Sequence, residues 1–211
     1  MVDCPHLERL GYGGDGNAST PTVQTLYRMA PLYTNWLQAW EDSQKPDGSM
    51  PHTAPNPYKA GGGPYWCAFI VMASWNAYVH YGDPRFLERH YDSMRRWLDY
   101  ARRHMRDGLL HRWSDEDYRW WYLGDWATPD GVNPTDERSV SLVGNCVLSI
   151  CLQTMSRIAR VRDKPSDADA FAKEAEQLNT RIHHTFYNAD SHTYATATQT
   201  DMALPMLPGA T

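Results

Sequence analysis

A chain of 211 residues and 24.2 kDa is long enough for one domain with a real core. Its net charge of −5 and pI near 6.0 supply no basic surface for nucleic acid or an anionic membrane. The aromatic residues are lopsided, 9 Trp and 13 Tyr against 4 Phe, a bias that suits stacking on sugar rings as well as half-buried packing.

The chain opens on Asp3-Cys4-Pro5-His6-Leu7-Glu8-Arg9-Leu10-Gly11-Tyr12-Gly13-Gly14-Asp15-Gly16-Asn17, which holds three carboxylates and four glycines without a helix or strand period. It reads as a loop, the setting in which binding and catalytic groups concentrate. Mutual repulsion raises the pKa of whichever acid is least solvated, and a carboxyl kept protonated near neutrality can act as a general acid. Gly11, Gly13 and Gly16 match a dinucleotide fingerprint only formally, because no strand precedes them and Asp15 repels phosphate. Asp15-Gly16-Asn17 begins like a calcium loop that Ala18, Ser19 and Thr20 do not continue. A plain glycine turn with Asp15 or Asn17 capping the next helix stays open.

A helix is predicted from about Pro21 to Ser43, with Ser19 or Thr20 as cap. Residues 44–64 follow as a loop, broken by Asp47-Gly48, Pro51, Pro55, Pro57 and Gly61-Gly62-Gly63; so long a loop is functional or disordered. The next helix, Tyr65 to Tyr81, is apolar nearly all round and therefore buried. After Gly82 and Asp83-Pro84, the recurrence of Leu87, Tyr91, Met94, Leu98, Ala101 and Met105 predicts an amphipathic helix with Arg95, Arg96, Arg102 and Arg103 opposite.

The pair then repeats. Ser139 to about Ile158 reads as a buried helix, and Pro165 to Tyr187 as an outer one with Phe171, Ala175, Leu178, Ile182 and Phe186 on one stripe. Buried helix, turn, amphipathic helix and long loop, twice over, describe an all-α fold of two concentric helical layers. The loop from His111 to Asp136 carries Trp113, Trp120, Trp121, Trp126, Asp115, Glu116, Asp117, Asp125 and Asp130. There Gly124-Asp125-Trp126 sets a carboxylate beside an indole, as a sugar site needs, and Trp66 has the same status; equally, these rings could roof the inner helices. Cys67, Cys146 and Cys151 lie in apolar runs and read as buried free thiols, and no zinc spacing occurs. His183-His184 reads as a solvated cation at a helix end. Met1-Val2-Asp3-Cys4-Pro5 is not a signal peptide and no apolar run approaches a membrane span, which leaves cytoplasm, periplasm and secretion open.

Asp3-Cys4-Pro5, Glu8-Arg9-Leu10-Gly11, Tyr12 and Gly14-Asp15 together resemble the signature of bacterial α-L-rhamnosidases of glycoside hydrolase family 78. Pro64-Tyr65-Trp66, Gly124-Asp125-Trp126 and Thr198-Gln199-Thr200-x-x-Ala203-Leu204 fall in matching order, so the resemblance covers essentially the whole chain. It implies an (α/α)6 six-hairpin barrel that hydrolyses terminal α-L-rhamnosyl bonds with inversion, without a metal or organic cofactor. Position by position it implies Glu8 as general acid, Asp3 and Asp15 as acids gripping the rhamnose hydroxyls, and Arg9 as a basic residue beside the acid that orients the carboxylates. Tyr12 stands where the family usually has Trp against the sugar ring, and Trp66, Asp125 and Trp126 match further subsite residues.

Two departures accompany this match. Leu7 replaces an Arg that many members carry, and no Glu between residues 137 and 211 resembles the family's general base. An inverting glycosidase needs two carboxyls about 6.5–9.5 Å apart. The chain is therefore expected to be the N-terminal half of a barrel, one partial domain spanning 1–211 that self-associates or pairs with a missing complement to cover its inner helices. The competing expectations are another six-hairpin glycosidase with a different substrate, and a non-catalytic sugar-binding or interaction fragment.

Overall fold

The computed structural model describes residues 6–57, 62–113, 122–125, 127–128, 131–132 and 136–211. The candidates Asp3 and Trp126, and Asp115, Glu116, Asp117, Trp120, Trp121 and Asp130 of the connecting loop, lie outside the described residues.

The first departure from expectation comes at once. Helix α1 (Gly13–Leu26) starts inside the glycine-rich stretch, and α2 (Ala30–Asp42) is a separate helix. Glycine disfavours helix by about 1 kcal/mol relative to alanine, which hides such a start in the sequence. Packing overrides it here. A Cβ at Gly13 would lie 2.1 Å from the backbone oxygen of Trp66, one at Gly14 2.7 Å from the Trp66 indole, and one at Gly16 2.5 Å from the Phe69 ring. The glycines serve close approach to bulky neighbours, and Tyr12, instead of Asp15 or Asn17, is the N-cap. Pro21 stands inside α1; Pro31 opens α2, where the absent N–H is not missed. Between the helices, Tyr27 is extended and Met29 N donates to the Tyr81 hydroxyl at 3.1 Å.

The remaining helices follow the predicted alternation. The short α3 (Pro64–Cys67) leads into α4 (Phe69–Tyr81), which is buried on several sides through Phe69, Ile70, Val71, Ala73, Ser74 and Ala77. It ends at Gly82, whose left-handed φ of 65° and N–H bond to Tyr78 O (2.7 Å) make a glycine cap. The single turn α5 (Arg85–Glu88) precedes α6 (Tyr91–Arg103), which buries Tyr91, Met94, Trp97, Leu98 and Ala101. Its arginines face outward and tie it to the next hairpin, Arg102 to Glu174 at 2.6 Å and Arg95 to Asp167 at 3.4 Å.

Helices α7 (Glu137–Val161) and α8 (Pro165–Phe186) form the most extensively packed pair, sharing Leu142, Leu148, Leu152, Met155 and Ile158 with Phe171, Ala175, Leu178 and Ile182. Asp136 caps α7 by accepting from Arg138 N and Ser139 N. By length and composition α7 could cross a membrane, yet most of it is buried inside the fold, the position of a core helix. A short α9 (Gln199–Ala203) and a 3-10 turn (Leu204–Met206) close the chain. Among the described residues, strands are confined to two-residue antiparallel hairpins, β1 (Met105–Arg106) with β2 (Leu109–Leu110), β3 (Ala127–Thr128) with β4 (Gly131–Val132), and β5 (Tyr187–Asn188) with β6 (Thr193–Tyr194).

Cys67, Cys146 and Cys151 are buried free thiols, as read from their apolar surroundings. Burial pushes all three above the usual thiol range. His183 differs from expectation: it is half-buried, stacks on Tyr187 at 4.8 Å and lies 2.7 Å from the Tyr194 hydroxyl, so it anchors the β5–β6 hairpin to α8.

Candidate active site

The N-terminal stretch is stitched to the loop that follows α2. Gly13 N donates to His52 O at 2.9 Å, Ala54 N donates to Gly11 O at 3.1 Å, and Tyr12 pairs with Thr53 in an antiparallel bridge. Ahead of this bridge, residues 6–8 form a turn and Arg9 adopts a left-handed φ of 59°, uncommon for a residue with a Cβ, which redirects the chain. A second tie brings in the tryptophan-rich loop: Leu123 N donates to Gly62 O at 2.6 Å, and Gly62 and Tyr122 form a parallel bridge. Gly124 sits against α7 so closely that a Cβ would come within 2.6 Å of Val140 Cα. His52, Thr53 and Ala54, in the loop after α2, thus hold the N-terminal stretch in place.

These ties create a cavity of about 470 Å³. From α1 it receives Gly14, Asp15 and Ala18; from α3, Tyr65 and Trp66; from the segment before β3, Gly124 and Asp125. Met72 of α4 and Val143, Val147 and Ile150 of α7 form an apolar side, completed by Thr200, Leu204 and Leu207. Asp15 occupies the first turn of α1, where the helix dipole favours a negative charge. Trp66 is nearly buried, its indole packed against Gly14, and it borders one cavity with Asp15 and Asp125. That combination can accept hydrogen bonds from hydroxyls while covering an apolar ring face, which is what a pyranose presents.

Of the residues singled out from the sequence, Asp15, Trp66 and Asp125 meet at this cavity. Glu8, Arg9 and Tyr12 do not line it: Glu8 and Arg9 are exposed in and after the turn, and Tyr12 is half-buried at the α1 cap. Tyr65 and Thr200 stand in the wall without having been assigned a role, though both belong to motifs quoted above. Among the described residues, no group of three or more His, Cys, Asp or Glu could hold a metal ion. A second groove, along α7 and α8, is lined by polar residues including Arg157, Arg160, Asn179, His183 and His184 and shares no lining residue with this cavity.

Helical hairpins in two layers, with carboxylates and tryptophan gathered where the inner helices begin, define a glycosidase-type α/α fold. The chain belongs to the family described as the bacterial α-L-rhamnosidase six-hairpin glycosidase domain, whose model matches residues 1–211. A curated α-L-rhamnosidase of Formosa agariphila is 24% identical over 211 residues, 97% of this chain and 22% of that protein. One of Streptomyces avermitilis is 34% identical over 130 residues, 61% of this chain and 12% of its own length. Among solved structures, the α-L-rhamnosidase of Dictyoglumus thermophilum superposes with a TM-score of 0.84 at 24% identity, covering 100% of this chain and 23% of that one. The Streptomyces avermitilis α-L-rhamnosidase complexed with L-rhamnose gives 0.80 at 24% identity, covering 96% and 18%. The fold is therefore the all-α, (α/α)6 type read from the sequence, and the chain spans less than a quarter of the length of these relatives.

Proposed function

We propose that residues 1–211 act as one domain unit in the hydrolysis of terminal α-L-rhamnosyl bonds with inversion, the substrate being a rhamnose-containing glycoside. The observation that carries this reading is the convergence of Asp15, Trp66 and Asp125 on one cavity in a chain of this family. Trp66 covers a face of the sugar ring, while Asp15 and Asp125 accept hydrogen bonds from its hydroxyls. Glu8 is assigned as general acid, donating its proton to the departing glycosidic oxygen, with Arg9 steering the neighbouring carboxylates. Asp3, Tyr12 and Trp126 keep their implied roles beside the sugar.

Inversion requires a second carboxylate that activates water on the opposite face of the sugar. None is assigned among these residues, so the chain's own contribution is binding and protonation of the leaving group. Supporting the sugar assignment, a relative of the same fold is seen complexed with L-rhamnose.

The test is hydrolysis of an aryl α-L-rhamnopyranoside and of a natural rhamnosyl disaccharide, with Glu8→Gln alongside. Loss of a general acid lowers turnover about 10²–10⁴-fold, and most for the disaccharide, whose leaving group needs the proton. Binding is read in parallel through tryptophan fluorescence: L-rhamnose should perturb it in the native chain and leave Asp15→Asn unaffected. Absence of both binding and turnover in the native chain would contradict the reading.

A further inference from the structure

The cavity wall holds an aromatic hydroxyl that the assignments above leave unused. Tyr65 directly precedes Trp66 in α3 and lines the cavity with Asp15. Its main chain is pinned from α1, where the buried Asn17 donates from Nδ2 to Tyr65 O at 2.7 Å. Its ring stands edge-on to the Trp66 indole, with centroids 6.0 Å apart and planes at 87°, a favoured aromatic geometry that restrains both rings. Burial, and then the charge of Asp15, push the phenol above its ordinary pKa, so the hydroxyl keeps its proton at neutral pH.

Beside Asp15 and Asp125 the wall needs donors, and the side-chain donors it holds besides Tyr65 are the Trp66 indole N–H and the Thr200 hydroxyl. The carboxylates of Asp15 and Asp125 accept hydrogen bonds, and Val143, Val147 and Leu204 offer none. Each sugar hydroxyl both donates and accepts. Carboxylates satisfy the donating half of a diol, and its accepting half calls for a donor beside them, the position Tyr65 holds against Asp15.

Resting on the function proposed above, we infer that Tyr65 is a specificity-determining residue, its hydroxyl donating to one sugar hydroxyl while an adjacent one donates to Asp15. The pair then reads a vicinal diol, and a pyranose lacking either of those hydroxyls is discriminated against.

Tyr65→Phe tests this, since it deletes the hydroxyl and keeps the ring that packs on Trp66. L-Rhamnose and its 2-, 3- and 4-monodeoxy analogues are titrated into both proteins, followed by tryptophan fluorescence, with thermal melts confirming that both are folded. The native chain is expected to favour L-rhamnose over the two analogues that lack those hydroxyls, and over the one lacking Tyr65's partner by about 3–10-fold, the worth of a single hydrogen bond. Tyr65→Phe should bind L-rhamnose weaker by the same factor and treat that analogue no differently from L-rhamnose. Retained discrimination against every analogue in Tyr65→Phe, or unchanged L-rhamnose affinity, would overturn the inference alone. No binding of L-rhamnose by the folded native chain would overturn the proposed function, and this inference with it.

Discussion

Helix α1 and the α7–α8 hairpin are both central to the fold, yet they are built by opposite means. The residues that α1 buries are Gly13, Gly14, Gly16, Asn17, Thr20 and Gln24, without a large apolar side chain among them. Its neighbours supply the bulk: Trp36, Trp40, Trp66 and Phe69 press directly onto its backbone. The α7–α8 hairpin instead supplies its own aliphatic and aromatic residues, interdigitated along both helices. The first arrangement places Asp15 on the same cavity as the Trp66 ring. The second secures the scaffold that holds them, burying apolar area from both partners. Position is bought with small residues, stability comes from large ones.

Substitutions in the two regions should therefore fail differently. Leu152→Ala, at a fully buried position in α7, deletes apolar contacts and leaves a cavity. It should lower unfolding free energy by about 2–5 kcal/mol in urea titrations, the largest expected effect, and leave sugar affinity of the folded fraction unchanged. Gly13→Ala is the sharper test of α1. On helix propensity alone it should stabilise by about 1 kcal/mol. Because the added methyl would meet the Trp66 carbonyl at 2.1 Å, the expected result is a loss of about 1–3 kcal/mol, and a higher melting temperature would break the comparison.

The smallest effect is a pH slope that belongs to neither region. His90 is buried with Nδ1 2.8 Å from Glu41 Oε2, and burial depresses its pKa more than the carboxylate raises it. The unfolded chain then takes up this proton at higher pH than the folded one, so protonation favours unfolding. Stability should fall as pH drops below about 6.5, the free histidine value, and stay level above it. His90→Gln should flatten the part of that slope seen in melts between pH 7 and pH 5.

The same contrast explains how much could be read from the sequence. The α7 and α8 boundaries were legible to within a few residues, because side chains that pack on one another impose a period of about 3.6 residues. Helix α1 was not, because its partners are distant in sequence and its own buried positions are glycine, threonine and amides. The single helix predicted from Pro21 to Ser43 differs at two points: packing of Gly13–Gly16 carries its start back past Pro21, and the chain breaks between Leu26 and Ala30, where Tyr27 is extended and Met29 N donates to the Tyr81 hydroxyl. At the site, Asp15, Trp66 and Asp125 were identifiable through motif order, and the structure brings them together. Tyr65 lay inside one of those motifs, but only the cavity wall shows its proximity to Asp15. The placement of Glu8 beyond the cavity had no signature in the sequence, since it follows from the turn at residues 6–8 and the reversal at Arg9.

The most direct test of the division between positioning and scaffolding is the L-rhamnose affinity of Gly14→Ala beside that of Leu152→Ala, each measured on folded protein by tryptophan fluorescence. A methyl at Gly14 would reach within 2.7 Å of the Trp66 indole and displace it from the cavity wall. The expected result is that Gly14→Ala loses sugar affinity at least tenfold, about 1.4 kcal/mol, while Leu152→Ala binds as the native chain does despite its lower melting temperature. Native affinity in Gly14→Ala, or a matching loss in Leu152→Ala, would contradict it.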